Sequence, residues 1–227
     1  AFWCLQCGRC FLRCRYSFGH RHRVLAPVLY ATLAEAGFYP KDETLTLRKF
    51  GSRLQGHPSR DFKLPGVETS AGSLGQGLGI AIGMALSAKM DDKNYRTYCV
   101  MGDGELQEGS VWEAAMAASN YRLDNLCAII DRNKLQIDGS TENVMALEPL
   151  AEKWSSFGWN VVEIDGHDHN DIIDAFAIAR ATIGQPTLVL ANTVMGKGVK
   201  SIENDNKWHG KVPSRDDLDK FLNELYC

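Results

Sequence analysis

The sequence has no long apolar run and no excess of basic residues. No apolar stretch among its 227 residues reaches the roughly 18 to 20 residues that cross a bilayer, so no membrane association is expected. The formal net charge is −3, but residues 1–25 hold five Arg and no acid, which leaves 20 basic and 28 acidic residues in the remainder, a net of −8. That remainder has no basic face for a nucleic acid. The N-terminal residues are interrupted by Arg and Cys and lack the sustained apolar core of a signal peptide.

Length and patterning predict one large α/β domain. With 44% hydrophobic residues, a chain of this length can fill a sizeable core. Strand-like and helix-like segments alternate, which favours a parallel sheet with helices on both faces. Ser110 and Glu113 have the spacing of a capping box at a helix start. The predicted strands cover residues 95–101, 126–130, 160–165 and 186–193, and the predicted helices cover residues 27–36, 41–50, 110–118, 150–158, 171–181 and 215–226.

Cysteine is used in two different ways along the chain. Cys99 and Cys127 fall inside predicted strands and are expected to be small buried apolar groups, and we expect a reducing, cytoplasmic compartment. A second group has the spacing of a bacterial-type iron–sulfur run and consists of Cys4, Cys7, Cys10 and Cys14. Arg15 stands where a Pro usually follows such a run, and no second cysteine quartet is present. We expect residues 1–25 to be an aberrant Cys- and Arg-rich segment from a shifted or mis-joined reading frame; an iron–sulfur cluster and a zinc-binding or solvated tail are the alternatives.

Two polar residues follow the ends of successive predicted strands. Asp103 comes just after the strand over 95–101, and Asn133 comes just after the strand over 126–130. Because ligands of parallel sheets bind beyond the carboxyl ends of the strands, these two side chains are expected to be neighbours. Their oxygens, together with a polyphosphate, are ligands that Mg²⁺ prefers. Gly102 and Gly104 are expected to present free backbone N–H groups to an anion beside a helix start. These residues predict a site for magnesium and a diphosphate.

The same stretch carries a family resemblance. Gly102-Asp103-Gly104 followed by Asn133 resembles the signature of thiamine diphosphate enzymes. Residues 104–109 read Gly-Glu-Leu-Gln-Glu-Gly and, with Asp138-Gly139, resemble the transketolase branch of that family. The resemblance runs from about Ala26 to the end of the chain. It implies that residues 26–227 form a diphosphate-binding domain with the thiamine diphosphate-binding fold, lacking the family's opening segment.

The resemblance also implies roles for individual residues. Asp103, Asn133 and the backbone carbonyl of Leu135 would hold Mg²⁺. His57 and His209 would move protons at the substrate, and Glu108 would belong to a proton-sharing path between two active sites at a dimer interface. The implied cofactor-binding residues are Gly72, Ser73, Leu74, Gly102, Asp103, Gly104, Asn133, Ile137 and His209.

Two positions where the family has a histidine bear on this interpretation, and only one of them, His57, is a histidine here. His57 lies between Gly56 and Pro58, and a single loop histidine is commonly no more than a solvated side chain. Its match to a family loop favours the proton-transfer role, for which the imidazole of a histidine is chemically suited. Val24 stands where the family has a phosphate-binding His.

The implied activity is reversible two-carbon ketol transfer between ketose and aldose phosphates, as in the pentose phosphate pathway. The pyrimidine-binding domain, with its catalytic Glu, is expected on a separate C-terminal transketolase subunit. The chain would then be an N-terminal subunit that is inactive alone and works in a dimer of heterodimers. The alternatives are a split ketolase for another sugar and a non-catalytic remnant that binds a partner.

Overall fold

The computed structural model describes residues 15–18, 22–70 and 72–226. The cysteine run of residues 4–14 therefore lies outside the described residues. The elements, in chain order, are β1 (Arg15–Phe18), α1 (His22–Glu35), α2 (Gln76–Met90), β2 (Thr97–Gly102), α3 (Gly109–Asn120), β3 (Leu126–Arg132), β4 (Leu135–Gln136), β5 (Gly139–Ser140), α4 (Thr141–Val144), α5 (Leu150–Ser156), β6 (Asn160–Asp165), α6 (His169–Ala181), β7 (Thr187–Asn192) and α7 (Arg215–Tyr226). Short 3-10 helices cover Lys41–Thr46, Arg60–Phe62, Gly104–Gln107 and Asn206–Trp208.

The main sheet has the strand order β1-β2-β3-β7-β6, and each neighbouring pair is parallel. In the register, Gly102 of β2 lies opposite Asp131 of β3, and Arg132 of β3 lies opposite Asn192 of β7. The carboxyl ends of these strands therefore share one edge of the sheet. The residues that follow β2, β3 and β7 meet at that edge.

Apolar side chains cover both faces of the sheet. Ala128 and Ile130 of β3 pack into a core cluster with residues of α2, α3 and α5, whereas Cys127 and Ile129 pack into a second cluster with residues of α6. Successive strand residues point to opposite faces, so burial of both sets requires helices on both sides. The predicted parallel sheet with helices on both faces is confirmed.

The N-terminal part of the chain departs from the sequence-based boundaries. Helix α1 begins at His22, earlier than predicted, and keeps Pro27 inside it. The buried residues Ala26, Tyr30 and Leu33 pack in a third cluster. We attribute the tolerance of an interior proline to this tertiary packing.

The helix predicted over residues 41–50 is wrong. Only a 3-10 helix, Lys41–Thr46, forms there, and Arg48 then adopts a positive φ of 60°. The Arg48 N–H donates to the carbonyl of Leu54 at 2.7 Å, so the chain turns back instead of continuing as a helix.

In the described part of the chain, no helix is both long and apolar enough to cross a membrane.

Candidate functional site

Asp103 joins the loops that follow β2 and β3. Its side chain is fully buried, and it accepts hydrogen bonds from the backbone N–H of Gly104 at 2.8 Å and of Lys134 at 2.5 Å. Gly104 and Lys134 belong to the two different loops. The carboxylate therefore lies at the strand edge where it was expected, next to the segment that contains Asn133.

Asn133 contributes a second buried oxygen at this edge. It is 6% exposed, and its Oδ1 accepts from the N–H of Leu135 at 3.0 Å. Leu135 begins the β4–β5 hairpin, in which it pairs with Ser140. An amide oxygen has two lone pairs, so Oδ1 keeps acceptor capacity beyond this bond. The same holds for Asp103 Oδ1, which accepts from Gly104.

The glycines around Asp103 use their donors inside the protein. The N–H of Gly102 donates to Glu105 Oε2 at 3.4 Å, and the N–H of Gly104 donates to Asp103. The expectation that both N–H groups are free to face an anion is therefore wrong for this structure. The carboxylates of Glu105 and Asp103 accept the hydrogen bonds of these two N–H groups. Contact of either glycine with a diphosphate stays a prediction.

Arg132 is the neighbour of this site that sequence reasoning missed. It is 2% exposed, and its Nη1 lies 3.2 Å from Asp103 Oδ2 and 2.7 Å from Thr141 Oγ1. Its Nη2 lies 2.9 Å from Glu142 Oε1 and 2.7 Å from Glu148 Oε1. The available signal was that an otherwise apolar strand ends in two charged residues, Asp131 and Arg132, directly before Asn133.

Electrostatics keep this guanidinium charged. Burial alone would lower the pKa of Arg132, but hydrogen bonds to Glu148 and Glu142 and the charge of Asp103 outweigh it and raise the pKa above its usual value. The pKa of Glu148 is lowered, first by the N–H of Leu150 and then by Arg132. These ionised groups form one network behind the Asp103 carboxylate.

Glu105 connects the loop before α2 to the end of β2. It is 1% exposed, and its Oε1 accepts from the N–H of Gly75 at 2.9 Å. Gly75 has a φ of +79°, and a Cβ there would lie 2.6 Å from Ser110 Oγ and 2.7 Å from Glu108 Cβ. The exposed residues Gly72, Ser73 and Leu74 lead directly into this tight packing. Glu105 thus holds the loop that carries them.

The capping box predicted from Ser110 and Glu113 is wrong. Helix α3 begins at Gly109 with Glu108 as its N-cap. The hydroxyl of Ser110 instead donates to the carbonyl of Gly75 at 3.1 Å. This bond adds to the packing of the 72–75 loop against α3, and Glu108 itself is exposed at the helix start.

Ile137 and His209 lie on segments that touch each other. Ile137 is 68% exposed in the β4–β5 turn, and its carbonyl accepts from Asn206 Nδ2 at 2.9 Å. The N–H of His209 donates to the carbonyl of Asn206, also at 2.9 Å. Trp208 anchors this segment on Phe221 of α7, with ring centroids 5.1 Å apart. Asn206 therefore links the hairpin after Asn133 to the half-buried His209.

His57 is exposed on a loop that is fixed by other residues. The Tyr30 hydroxyl donates to the carbonyl of Gln55 at 2.7 Å. Arg53 forms two bonds to Glu43, at 2.8 and 2.9 Å. These contacts hold the loop against the apolar cluster built on α1. His57 is therefore presented from this part of the fold, whereas Asp103 lies at the carboxyl end of β2.

Comparison with known proteins decides the family. Residues 11–225 match the family described as transketolase, thiamine diphosphate binding domain. The chain belongs to this family. It is 46% identical over 213 residues to one of the subunits of the apulose-4-phosphate transketolase of Phocaeicola vulgatus, covering 94% of this chain and 74% of that protein. The family resemblance inferred from the sequence is confirmed.

Further members of the transketolase family agree with this assignment. A 6-deoxy-6-sulfo-D-fructose transketolase subunit from a Clostridium species is 45% identical over 177 residues, which is 78% of this chain and 64% of that protein. The crystal structure of Campylobacter jejuni transketolase superposes with a TM-score of 0.87 at 29% identity. The alignment covers 97% of this chain and 35% of the Campylobacter protein, so the chain spans about a third of that transketolase.

The match to the transketolase family begins at residue 11, before the boundary predicted at Ala26. Strand β1, Arg15–Phe18, pairs in parallel with β2, with Arg15 opposite Thr97. The family match and the sheet thus extend into the segment of residues 1–25. That this segment comes from a shifted or mis-joined reading frame stays a prediction.

Replacing Gly75 by Ala is expected to lower the free energy of unfolding by about 2 to 3 kcal/mol. A left-handed backbone costs a non-glycine residue about 1 to 2 kcal/mol, and the close contacts with Ser110 and Glu108 add overpacking. Urea denaturation monitored by circular dichroism measures the change.

Gly184→Ala is the matched control, because Gly184 has a φ of +78° but no atom lies within 4 Å of the position that a Cβ would take there. It should show only the backbone cost. Equal losses for the two variants would mean that the packing of Gly75 against α3 contributes nothing.

Proposed function

We propose that this chain is the N-terminal subunit of a split transketolase that transfers a two-carbon ketol unit reversibly between ketose and aldose phosphates. The observation that carries the proposal is the pair of buried oxygens of Asp103 and Asn133 at adjacent strand ends of a thiamine diphosphate-binding domain. When bound, thiamine diphosphate supplies the carbanion-stabilising chemistry, and the protein supplies binding, orientation and proton movement.

The donor set fits a magnesium ion. The described residues contain no cluster of three or more His, Cys, Asp or Glu side chains that could hold a metal by themselves. Mg²⁺ instead accepts one or two carboxylates together with other oxygens and ligand phosphates. Asp103, Asn133 and the carbonyl of Leu135 would hold the ion.

The remaining site residues would contact the cofactor and the substrate. Gly72, Gly102, Gly104 and His209 would contact the diphosphate, and Ser73, Leu74 and Ile137 would lie against the thiamine. His57 and His209 would each accept or return the proton of a sugar hydroxyl through an imidazole nitrogen. His57 is exposed and His209 half-buried, so both can be reached from outside the chain.

A partner would complete the site. We propose a C-terminal subunit that carries the pyrimidine-binding domain and its catalytic Glu, in a dimer of heterodimers. The named relatives from Phocaeicola and Clostridium are themselves called subunits, which supports this arrangement. Glu108, exposed at the start of α3, would then share a proton across the dimer interface. The buried thiols of Cys99 and Cys127 are consistent with a reducing cytoplasm.

The second candidate is a split ketolase with a different sugar. Two similar proteins bear the names of transketolases for apulose 4-phosphate and for 6-deoxy-6-sulfo-D-fructose. A substrate of the pentose phosphate pathway is therefore tested together with these two sugars.

Isothermal titration calorimetry with thiamine diphosphate and Mg²⁺ tests the proposal. We expect saturable heat when this chain is mixed with the C-terminal transketolase subunit encoded in the same genome, and little heat for either chain by itself. The mixture is then given xylulose 5-phosphate, apulose 4-phosphate or 6-deoxy-6-sulfofructose with an aldose phosphate acceptor. Product formation from one of them identifies the donor, whereas a partner complex that binds no cofactor would support a non-catalytic remnant.

A further inference from the structure

The guanidinium of Arg132 organises the segment behind Asp103. Its Nη1 contacts Asp103 and Thr141, and its Nη2 contacts Glu142 and Glu148. A planar guanidinium presents its donors in fixed directions, so the positions of these four partners are coupled. Arg132 thus ties the end of β3 to β2 on one side and to residues 141–148 on the other.

The two glutamates build their own segment around this contact. Glu142 accepts from the N–H of Leu147 at 3.2 Å and of Glu148 at 3.4 Å. Glu148 Oε2 accepts from the N–H of Leu150, at the start of α5, at 2.7 Å. Each carboxylate therefore holds both the guanidinium and the local backbone. A rigid support of this kind can fix the orientation of Arg132.

Arg132 in turn restricts the rotation of Asp103. Oδ2 of Asp103 receives both Arg132 Nη1 and the Lys134 N–H, whereas Oδ1 receives the Gly104 N–H. The carboxylate is consequently held in one orientation, with Oδ1 on the side of Gly104. Partners of this kind, which touch a metal ligand without touching the metal, set ligand geometry, and their loss commonly lowers metal affinity about 10- to 100-fold.

Charge makes the presence of an arginine here informative. A cation next to a proposed divalent metal site opposes metal binding by Coulomb repulsion. Glu142 and Glu148 provide two negative charges against the single charge of Arg132. A buried ion pair is also weak evidence for a role in stability, because desolvation offsets most of its attraction. An arginine at this position is explained if it orients Asp103. The two glutamates are explained if they compensate the positive charge of the arginine.

We propose that Arg132 is a positioning residue that orients the Asp103 carboxylate for a divalent cation, and that Glu142 and Glu148 neutralise its charge so that the cation can bind. The inference rests on the proposed function, since it assumes that Asp103 is a metal ligand. It assigns to three further residues an influence on metal affinity although none of them touches the metal.

The test uses the complex of this chain with its C-terminal partner and measures binding of Mn²⁺, a spectroscopic substitute for Mg²⁺, at saturating thiamine diphosphate. Electron paramagnetic resonance reports free Mn²⁺ directly and needs no turnover. We expect Arg132→Met to weaken Mn²⁺ binding by about tenfold or more. If Arg132 were only a nearby positive charge, its removal would strengthen binding, so the direction of the change separates the two roles.

Two conservative variants complete the test. Arg132→Lys keeps the charge but loses the planar fork, and it should bind Mn²⁺ more weakly than the wild type. Glu148→Gln removes one compensating charge and should weaken binding about 3- to 10-fold, a change that follows from roughly 1 kcal/mol of lost attraction near the surface. Glu152 is exposed in α5, and Glu152→Gln removes the same charge as Glu148→Gln; it should leave the Mn²⁺ affinity unchanged.

The outcomes distinguish this inference from the proposed function. Wild-type binding with equal or tighter binding by Arg132→Met and Arg132→Lys would overturn the positioning role and leave the metal site intact. Failure of the wild-type complex to bind Mn²⁺ would overturn both. Circular dichroism of each variant checks folding, and if Arg132→Met does not fold, Arg132→Lys and Glu148→Gln still decide the matter.

Discussion

Replacing Asp103 by Ala is expected to weaken Mg²⁺-dependent binding of thiamine diphosphate by at least about 100-fold, more than the loss of a supporting residue causes. The change removes a fully buried carboxylate at the junction of the β2 and β3 loops. It also removes the acceptor of the Gly104 and Lys134 N–H groups. Calorimetric titration of the complex with thiamine diphosphate, at several Mg²⁺ concentrations, measures the effect.

Asp138→Ala is the matched control for Asp103→Ala. Asp138 is exposed in the β4–β5 turn, close in sequence to Asn133, and its loss should leave cofactor affinity within about twofold of the wild type. We expect Asp103→Ala to fold, because Arg132 keeps Glu142, Glu148 and Thr141 as partners. Thermal melting of the metal-free proteins checks this. A folded Asp103→Ala protein with unchanged dependence on Mg²⁺ would falsify the metal assignment.

Replacing Trp154 by Ala is expected to lower the free energy of unfolding by about 3 to 5 kcal/mol. Trp154 is fully buried in α5 and lies between two other tryptophans, with ring centroids 5.6 Å from Trp112 and 4.9 Å from Trp159. Its removal leaves a large cavity in the main core cluster. Urea denaturation of the isolated chain, followed by circular dichroism, gives the change in stability.

Two further variants show whether the Trp154 effect comes from buried volume. Phe50→Ala truncates a fully exposed aromatic side chain and should change the stability by less than about 0.5 kcal/mol. Trp154→Phe should lose much less than Trp154→Ala, because within the described residues the indole N–H of Trp154 has no hydrogen-bond partner to lose. A loss below about 1 kcal/mol for Trp154→Ala would contradict the packing described here.

Local sequence patterns predicted the regular elements where the pattern was strong. The strand over residues 160–165 coincides with β6, Asn160–Asp165, and the helix over residues 215–226 coincides with α7, Arg215–Tyr226. The helix over residues 41–50 failed, because apolar spacing alone does not show that Arg48 turns the chain back onto Leu54. The capping box predicted at Ser110 was wrong for a related reason, since the Ser110 hydroxyl donates to the carbonyl of Gly75, 35 residues earlier.

The sequence by itself determined the family and the location of the candidate site. The string around Asp103 identifies the transketolase family, and parallel strands bring the residues after β2 and β3 to one edge. Only the tertiary structure decided what supports Asp103. The partners of Arg132 lie 9 to 29 residues away in the chain, and the buried Glu105 reaches a glycine 30 residues away. Such contacts depend on the directions of buried side chains after packing, and local spacing carries no record of those directions.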